Sequence, residues 1–285
     1  EAGHRQEVGG DMGERLGVIA GSGPFARQAI GLARERGYVP VVAGIRGEAS
    51  GDLERTSESF AWIGLTDLEK LVAFFRNAGV REVVFVGKVD PAVLAGGDRA
   101  DAALAAFLAT VRDATPTAVL ESLISVLSGR GFAVKDPTFL LQPYFRAAGL
   151  LGRIPPPPGA AADIAFGWPL VRALADLEIG QTIVVKGRGI AAVEGMDGTD
   201  ETILRAGRVA GPGCSVLKCA RTRQDFRIDA PGVGIGTVRA CVQSGAAALC
   251  VEAGRVAFFQ FEEAAALADA NGLALIATEG ISAHG

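Results

Sequence analysis

The sequence predicts a two-domain α/β protein, with a Rossmann-like open parallel sheet in the N-terminal half and an α/β domain with a mixed sheet in the C-terminal half. Three observations lead to this prediction. Short apolar runs alternate with amphipathic segments, which is typical of parallel sheets flanked by helices. Four consecutive prolines at residues 155–158 interrupt that alternation. The chain has 285 residues, and a single domain usually takes roughly 100–200.

The proline run sets the predicted domain boundaries. Consecutive prolines cannot continue a helix or a central strand, and they form a semi-rigid connection. We therefore expect a linker at residues 155–160, a first domain at residues 13–154 and a second at residues 161–285. Residues 1–12 are polar and rich in glycine. They are interpreted as a tag or disordered extension and are left out of the fold prediction.

In the first domain, strands and helices are predicted in turn. The run LGVIA at residues 16–20 suits a buried parallel strand. A helix is expected between Pro24 and Gly37, because proline is favoured at the first position of a helix and glycine just after the last. The other predicted elements are strands at residues 39–45, 82–86 and 131–135, and helices at residues 68–78 and within 98–130.

The second domain has a different pattern, in which strands and helices do not alternate strictly. A helix at about residues 161–177 is followed by several short apolar runs. The predicted strands are residues 182–186, 190–193, 215–218, 247–252 and 273–278, and the further predicted helices are residues 237–245 and 262–271.

Composition excludes several classes of protein. A net charge of −4 and a pI of about 5.4 offer no basic surface for nucleic acid. The longest apolar stretches are shorter than the ~20 residues of a membrane span, and no segment has the pattern of a secretion signal. The four cysteines lack metal-site spacing. We therefore expect a cytoplasmic protein with buried, reduced thiols and no nucleic-acid partner.

Both histidines, His4 and His284, lie near the ends of the chain. This placement argues against a histidine general base, a Ser-His or Cys-His nucleophile and a histidine-built zinc site. Any chemistry is then expected from carboxylates, lysines, hydroxyls, backbone amides or a metal ion held by oxygen ligands.

The first candidate site is the glycine turn after the first strand, with the pattern G-x-G-x-x-A at Gly21, Ser22 and Gly23. Small residues let the backbone approach a phosphate, and the following helix presents free N–H groups. The alternative is a merely tight turn. An NAD site would place an acid after the second strand, but Ile45 and Arg46 follow it here. A nucleotide other than NAD is therefore favoured.

A second candidate follows the strand at residues 82–86, in the segment Val86-Gly87-Lys88-Val89-Asp90. This segment should lie at the carboxyl edge of the sheet, where open α/β sheets bind ligands. Lys88 could contact a phosphate as a point charge, with Asp90 beside it. The alternative is an ordinary turn with a solvated lysine.

The third candidate is a dense group of charged residues in the second domain. Glu194, Asp197 and Asp200 lie among glycines, and Asp225 and Asp229 lie among basic residues. Oxygen ligands on short flexible segments suit Mg²⁺ or Mn²⁺, and the nearby Lys218, Arg221, Arg223 and Arg227 suit a diphosphate. Solvated turns and surface ion pairs are the alternative. In an extended segment, Asp225, Arg227 and Asp229 would share one face.

Four segments in order resemble one known family. They are AGSGPFA, VFVGKVDP, IGQTIVVKGRGIAAVEGMDGTDETILRAG and VLKCARTRQDFRIDAPGVGIGTV. Together they resemble the histidine-poor branch of the UDP-2,3-diacylglucosamine pyrophosphatases of lipid A biosynthesis, over residues 16–280. VEGMDGTD and QDFRID are the most specific parts. Asp197 stands where the family has an acid before Gly-Thr-Asp, and Arg221 and Thr222 replace a lysine and a proline.

The resemblance implies hydrolysis of UDP-2,3-diacylglucosamine to UMP and 2,3-diacylglucosamine 1-phosphate. It also implies a divalent cofactor, Mg²⁺ or Mn²⁺, two domains facing a substrate cleft, and peripheral action at the cytoplasmic face of the bacterial inner membrane. A homodimer is one assembly that the sequence leaves open.

The site residues that we predict fall into three groups. The expected catalytic residues are Asp225, Asp229, Lys218 and Arg227. The expected nucleotide- or cofactor-binding residues are Gly21, Ser22, Gly23, Lys88, Asp90, Gln181, Thr199 and Gln224. The expected metal ligands are Asp225, Asp229, Glu194, Asp197 and Asp200.

Two other functions remain open from the sequence. One is another nucleotide-sugar-processing enzyme, such as an oxidoreductase or transferase, and the missing acid after the second strand argues against NAD in that case. The other is a nucleotide-gated lipid-binding or regulatory protein. The crowded charges of the second half argue against a pure binding protein, because binding alone does not require them.

Overall fold

The computed structural model describes residues 13–23, 25–64, 67–87 and 116–280. The chain divides into two compact units, Glu1–Leu140 and Leu141–Gly285. Each unit has its own sheet and its own apolar core. Within the described part of the chain, no helix is both long and apolar enough to cross a membrane.

The division between the units lies before the predicted linker at residues 155–160. Strand β6 (Gly149–Leu150) pairs antiparallel with a strand of the second unit, so the chain has already entered that unit before the prolines. Pro157 precedes the first helix of the unit and Pro158 is its first residue. The prolines therefore start a helix, a position where the missing N–H costs nothing.

The first unit contains the predicted open parallel sheet. Its strand order is β3-β2-β1-β4-β5, and all the pairings are parallel. The strands are β1 (Arg15–Ala20), β2 (Val39–Ile45), β3 (Ser59–Ile63), β4 (Glu82–Val86) and β5 (Ala133–Val134). The described helices are α1 (Phe25–Glu35), α2 (Leu68–Asn77) and α3 (Pro116–Gly129).

The core of this unit lies on both faces of the sheet. Leu16 and Val18 of β1 pack in one apolar cluster with Ile30 of α1, while Ile19 packs in another with Phe75 of α2. Successive side chains of a strand point to opposite faces, so a strand covered on both sides must be apolar throughout. This explains the continuous apolar run by which β1 was predicted.

Two features of the first unit differ from the sequence prediction or lie beyond it. Strand β3 was not predicted, because it is an edge strand whose side chains are mostly only partly buried. The predicted helical stretch within residues 98–130 is confirmed from Pro116 onward. Its earlier part lies outside the described residues.

The second unit has a mixed sheet, as predicted, with the order β6-β13-β11-β9-β7-β8. Its central strands β9, β11 and β13 are parallel, whereas β7 runs antiparallel to both of its neighbours. These strands are β7 (Thr182–Lys186), β8 (Gly189–Val193), β9 (Ser215–Lys218), β11 (Ala248–Glu252) and β13 (Ala274–Thr278). A separate short pair joins β10 (Gly232–Val233) and β12 (Ala257–Phe258).

Helix α4 (Thr138–Leu141) ends the first unit and includes the first residue of the second. The helices of the second unit are α5 (Pro158–Asp176), α6 (Gly198–Ala210), α7 (Ile235–Ser244) and α8 (Phe261–Ala270). Helix α6 corrects the sequence prediction, which placed its residues in flexible acidic segments. Asp200 and Glu201 lie in its first turn. Carboxylates are favoured there because they face the positive end of the helix dipole, so part of the acidic cluster marks the start of a helix.

Helices α6 and α7 approach closely at Gly207. A Cβ atom at this position would lie 2.7 Å from Cβ and 3.0 Å from the carbonyl oxygen of Ser244. Because backbone atoms of α7 form part of this contact, a side chain on α6 can be accommodated only if the helices move apart. The glycine therefore sets the helix spacing near the C-terminal ends of α6 and α7.

We expect Gly207→Ala to lower the free energy of unfolding by about 1–3 kcal/mol through overpacking. Gly31→Ala in α1 is the matched control, because a Cβ there meets nothing within 4 Å. Alanine in an open helical position should raise stability by up to about 1 kcal/mol. Urea unfolding of each variant measures both effects. Equal effects of the two substitutions would contradict the packing role of Gly207.

Candidate active site

A buried lysine lies at the centre of the candidate site in the second unit. Lys218 is the last residue of β9 and is only 5% exposed. Its Nζ donates hydrogen bonds to Oγ1 of Thr199 at 2.7 Å and to Oγ1 of Thr182 at 3.2 Å. The nearest carboxylate oxygen, Oε2 of Glu194, lies 3.8 Å away. We call Lys218, Thr182, Thr199 and Glu194 the lysine cluster.

The sheet topology brings the lysine cluster together. Thr182 starts β7 and is the direct register partner of Lys218 on β9. Glu194 follows β8, and its N–H donates to the carbonyl oxygen of Thr182 at 2.9 Å. Thr199 lies in the first turn of α6. The four side chains therefore meet at the carboxyl end of a central parallel strand, the edge where α/β sheets usually bind ligands.

Glu194 is held in its ionised form. Its carboxylate accepts hydrogen bonds from Oγ1 of Thr199 at 2.6 Å and from the N–H of Gln181 at 3.0 Å. Burial alone would raise the pKa of this carboxyl, but the Lys218 ammonium and the hydrogen bonds hold that pKa below its ordinary value. The result is a buried ion pair, in which removing one partner would leave an uncompensated charge.

Two glutamines connect the lysine cluster to the Asp225 segment. Gln181 Nε2 donates to Oε1 of Gln224 at 3.0 Å. The same Oε1 accepts the N–H of Arg221 at 3.1 Å, and Gln224 Nε2 donates to the carbonyl oxygen of Asp229 at 2.8 Å. The structure thus joins Gln181, Gln224, Thr199 and Lys218, all predicted from sequence, in one hydrogen-bonded network.

Asp225 is paired with Arg227 within its own turn. The Arg227 guanidinium donates to Oδ1 at 2.9 Å through Nε and to Oδ2 at 2.6 Å through Nη2. The backbone N–H of Arg227 donates to Oδ1 at 3.0 Å. The Arg227 side chain is the main reason that the pKa of the Asp225 carboxyl lies below its ordinary value. Asp225 is therefore an ionised, half-buried carboxylate.

Residues 224–229 form turns and not the extended segment in which Asp225, Arg227 and Asp229 would share one face. The N–H groups of Ile228 and Asp229 donate to the carbonyl oxygen of Asp225 at 3.1 and 3.3 Å, which makes a helical turn. The carboxylate of Asp225 accepts the N–H of the second residue after it, a local bond that competes with extended structure. Asp225, Arg227 and Asp229 therefore do not alternate along a strand, and Asp229 is exposed.

The five predicted metal ligands do not converge. Asp197 is paired with Arg205 at 2.8 Å, and that bond is the main cause of its lowered pKa of about 2. Asp200 accepts the hydroxyl of Thr237 at 2.8 Å. In the part of the chain that the structure describes, no group of three or more Asp, Glu, His or Cys residues is arranged to hold a metal ion. The side chains in this conformation do not form the predicted ligand set.

In the first unit, the glycine turn lies where strands β1 and β4 end side by side. The N–H of Gly21 donates to the carbonyl oxygen of Val86 at 2.9 Å. Gly23 has a φ of +100° and open space around its Cβ position. Helices cross from these two strands in opposite directions along the sheet, which makes this edge the switch point of the fold. Lys88 and Asp90 lie outside the described residues.

Gly87 after β4 fits closely against the glycine turn. Its φ is +84°, and a Cβ there would lie 2.5 Å from the carbonyl oxygen of Ser22. No other residue type fits this position without moving the turn. The turn at Gly21, Ser22 and Gly23 thus lies at the carboxyl edge of the sheet, the location that the sequence predicted and one that suits a phosphate. Their binding role stays a prediction.

Sequence reasoning missed Thr182 in the lysine cluster. The residue opens the apolar run TIVVK and is fully buried. A hydroxyl at the end of a buried strand needs a hydrogen-bond partner. This polar position in an otherwise apolar strand was the signal that could have identified it.

Comparison with known proteins gives consistent matches over most of the chain. The model of the LpxI N-terminal domain matches residues 15–144, and that of the LpxI C-terminal domain matches residues 147–276. The UDP-2,3-diacylglucosamine pyrophosphatase LpxI of Caulobacter vibrioides is 26% identical over 276 residues, which cover 93% of this chain and 98% of that protein.

Solved structures resemble the chain only distantly. An ADP complex of purK, an N5-carboxyaminoimidazole ribonucleotide synthetase, is 13% identical, with a TM-score of 0.26 over 70% of this chain. Glycinamide-RNase-transformylase T from Mycobacterium tuberculosis is 15% identical, with a TM-score of 0.23 over 64%. This chain spans 45% and 44% of those two chains.

The Lys218–Glu194 ion pair predicts that wild type and a Glu194→Gln variant differ in their free energy of unfolding, and that this difference depends on pH. A carboxyl whose pKa is lower in the folded protein stabilises the fold above its unfolded pKa, ordinarily near 4.5, and loses that contribution as pH falls through the folded value. At pH 7 we expect Glu194→Gln to cost about 3–5 kcal/mol, because Lys218 is left buried without its counterion.

Urea unfolding of wild type and Glu194→Gln between pH 7 and pH 3 measures this difference. The difference in free energy of unfolding between the two proteins should become smaller below about pH 4.5, because the wild-type carboxyl then takes up a proton. Glu263→Gln is the control, since it removes a surface pair with Arg239 in which both side chains are at least 60% exposed. A gap that stays constant over the whole pH range would contradict the ionised state of Glu194.

Proposed function

The chain belongs to the LpxI family, and we propose that it hydrolyses UDP-2,3-diacylglucosamine to UMP and 2,3-diacylglucosamine 1-phosphate. The observation that carries the proposal is the order and extent of the family match. Both domains match in sequence order over residues 15–276. The relative named for this pyrophosphatase activity aligns over 93% of the chain. The specific segments around Glu194 and Asp225 lie inside that match.

Lys218 supplies positive charge for a diphosphate. Breaking the bond to the leaving phosphate places negative charge on its oxygens, and a preorganised cation at that point lowers the barrier. The ammonium is already oriented by two threonine hydroxyls, so no rearrangement is needed to align it. The first turn of α6 is beside it, and free N–H groups at a helix start favour phosphate oxygens.

We assign Asp225 the role of holding the attacking water. Its carboxylate is ionised, so it can accept a hydrogen bond from water. The bond from Arg227 lowers the pKa of the carboxyl, which makes the carboxylate a weak base near neutral pH. Asp225 therefore contributes mainly by orienting the water. It removes the proton of the water only as the new oxygen–phosphorus bond forms. Gln224, fixed to Gln181, sets the start of this turn.

A divalent ion, Mg²⁺ or Mn²⁺, is part of the proposal on chemical grounds. When bound, such an ion would lower the pKa of water and offset phosphate charge. The carboxylates as arranged do not form a ligand set, since Asp225 and Asp197 are each paired with an arginine. Any ion would have to bind together with substrate oxygens, and no step above depends on it.

The remaining parts of the proposal concern the nucleotide and the lipid. In the first unit, the turn at Gly21, Ser22 and Gly23 is assigned to a phosphate of the nucleotide, supported by its place at the switch point of the sheet. A substrate with two acyl chains supports peripheral contact with the inner membrane, because such lipids are held in a bilayer. A homodimer stays a prediction.

Turnover of UDP-2,3-diacylglucosamine in water enriched in heavy oxygen tests the reaction. We expect UMP and the lipid 1-phosphate in equal amounts, with one heavy oxygen in one of the two phosphates. Mass spectrometry of both products reads the result. Intact substrate at the end of the incubation would contradict the proposed function. In a second arm, exhaustive chelation should abolish turnover and Mg²⁺ should restore it. Full activity after chelation would contradict only the metal requirement.

Asp225→Ala tests the proposed role of the carboxylate. We expect kcat to fall at least ~100-fold, a barrier change of ~2.7 kcal/mol, while the melting temperature and product binding change little. This pattern indicates an interaction made in the transition state. Asp52→Ala is a matched control, because it removes another aspartate paired with an arginine, Arg27, in the other unit. A folded Asp225→Ala protein with more than about a tenth of wild-type kcat, ~1.4 kcal/mol, would remove Asp225 from the catalytic residues.

A further inference from the structure

Glu252 is a buried carboxylate outside the lysine cluster. It ends β11 and is 4% exposed. Its Oε2 accepts the N–H of Ala220 at 2.9 Å, and its Oε1 accepts Nη2 of Arg172 at 2.5 Å. Arg255 Nη1 also donates to Oε1, at 3.4 Å. A buried carboxylate with two cationic partners and one backbone donor is satisfied only while all three stay in place.

The two arginines also bind the backbone next to Ala220. Arg172 donates to the carbonyl oxygen of Ala220. Arg255 Nη2 donates to the carbonyl oxygen of Arg221 at 2.6 Å. We call Glu252, Arg172 and Arg255 the carboxylate–arginine cluster. Among the described residues, the hydrogen bonds between its side chains and the main chain all fall on residues 220–222.

A second carboxylate holds the far end of the same short segment. Asp176, the last residue of α5, accepts the N–H of Thr222 at 2.6 Å and its hydroxyl at 2.7 Å. Side chains from α5 and from the end of β11 therefore form hydrogen bonds to three consecutive residues of one loop, residues 220–222. A loop buried at Ala220 cannot leave its polar main-chain groups to water, so these side chains replace the partners that a sheet would provide.

The loop at residues 220–222 connects the two parts of the candidate active site. Lys218 ends β9, and residues 220–222 lead from it directly to Gln224 and Asp225. The N–H of Arg221 donates to Oε1 of Gln224 at 3.1 Å. The position of the loop backbone therefore sets the position of the Gln224 side chain, and Gln224 in turn binds the carbonyl oxygen of Asp229 at the end of the Asp225 turn.

We propose that the carboxylate–arginine cluster is a positioning device, in which Glu252 fixes the backbone of residues 220–222 and thereby holds Gln224 and Asp225 in the geometry needed for hydrolysis. Glu252 does not contact the substrate in this scheme. The Glu252 carboxylate binds both Arg172 and Arg255 as well as the N–H of Ala220, so the positions of the two arginines depend on it. The catalytic part of this inference rests on the proposed function.

Fold stability alone does not account for the arrangement. Replacing a whole buried ion pair or triad by well-packed apolar residues often leaves stability unchanged or higher, so the charges are not needed merely to fill the site. The partners of these charges are concentrated on one loop rather than distributed over the core. Loosening that loop should therefore affect the rate of reaction more than the binding of substrate, because small misplacement of a catalytic group mainly lowers kcat.

Two variants test the inference. Glu252→Gln keeps the shape but loses the charge that binds both arginines. Arg255→Gln removes the bond to the Arg221 carbonyl at a side chain that is 32% exposed, where a change is easily tolerated by the fold. Arg239→Gln is the matched control, since it removes a surface ion pair with Glu263 on helix α8. Each variant is assayed for melting temperature, hydrogen exchange of the peptide covering residues 219–229, and kcat and KM with UDP-2,3-diacylglucosamine.

In Arg255→Gln we expect faster exchange at residues 219–229, with other peptides unchanged. In Glu252→Gln we expect at least 10-fold faster exchange at residues 219–229, in excess of the increase elsewhere that the lower stability of a broken buried ion pair causes. The value of kcat should fall at least 10-fold in Glu252→Gln and about 3-fold or more in Arg255→Gln. KM should stay within 3-fold of wild type in both variants, and the control should match wild type throughout.

Unchanged exchange and kcat in a folded Arg255→Gln protein would overturn the inference, whether or not Glu252→Gln folds. In Arg255→Gln, faster exchange spread evenly over the chain would also overturn it, since this would indicate a general loss of stability and no local effect on residues 219–229. If wild type does not turn over the substrate, the proposed function fails. The exchange experiment then still decides whether the cluster holds this loop.

Discussion

Burial of one ammonium group at the end of β9 is the constraint that organises the second unit. Lys218 is 5% exposed, and a charge removed from water in this way needs hydrogen-bond acceptors and a nearby opposite charge. Thr182, Thr199 and Glu194 meet those needs, and each comes from a different element. The antiparallel insertion of β7 and β8 beside β9, and the start of α6 at Gly198, place them within reach.

The same unit neutralises its other charges in local groups. Asp225 is paired with Arg227, Asp197 with Arg205, and Glu252 with Arg172 and Arg255. A chain segment with many acids and bases could have formed one shared ion site, but Asp225 and Asp197 are each paired with an arginine and Asp200 accepts a threonine hydroxyl. Under the proposed function, an incoming diphosphate would compete with Asp225 for Arg227, so substrate binding and this charge pair would be coupled by electrostatics.

Much of the fold could be predicted because its signals are local. The apolar run of β1 and the strand–helix alternation after it depend only on neighbouring residues and on burial of both sheet faces. Strand β3 and helix α6 were missed because partial burial and a glycine-rich, acidic start weaken the local pattern. The boundary between the units was also not local, since it depends on the pairing of β6 with β13.

The sequence by itself determined the family and the two kinds of sheet. It also named Lys218, Glu194, Thr199, Gln181 and Gln224 as expected site residues, though not as one hydrogen-bonded network. Only the tertiary structure decided which charges meet. It added Thr182 and the carboxylate–arginine cluster, and it gave Asp197, Asp200 and Asp225 a different partner each. The physical reason is that burial and pairing of charges depend on distances between elements far apart in the chain, such as Arg172 and Glu252, and spacing along the sequence does not encode those distances.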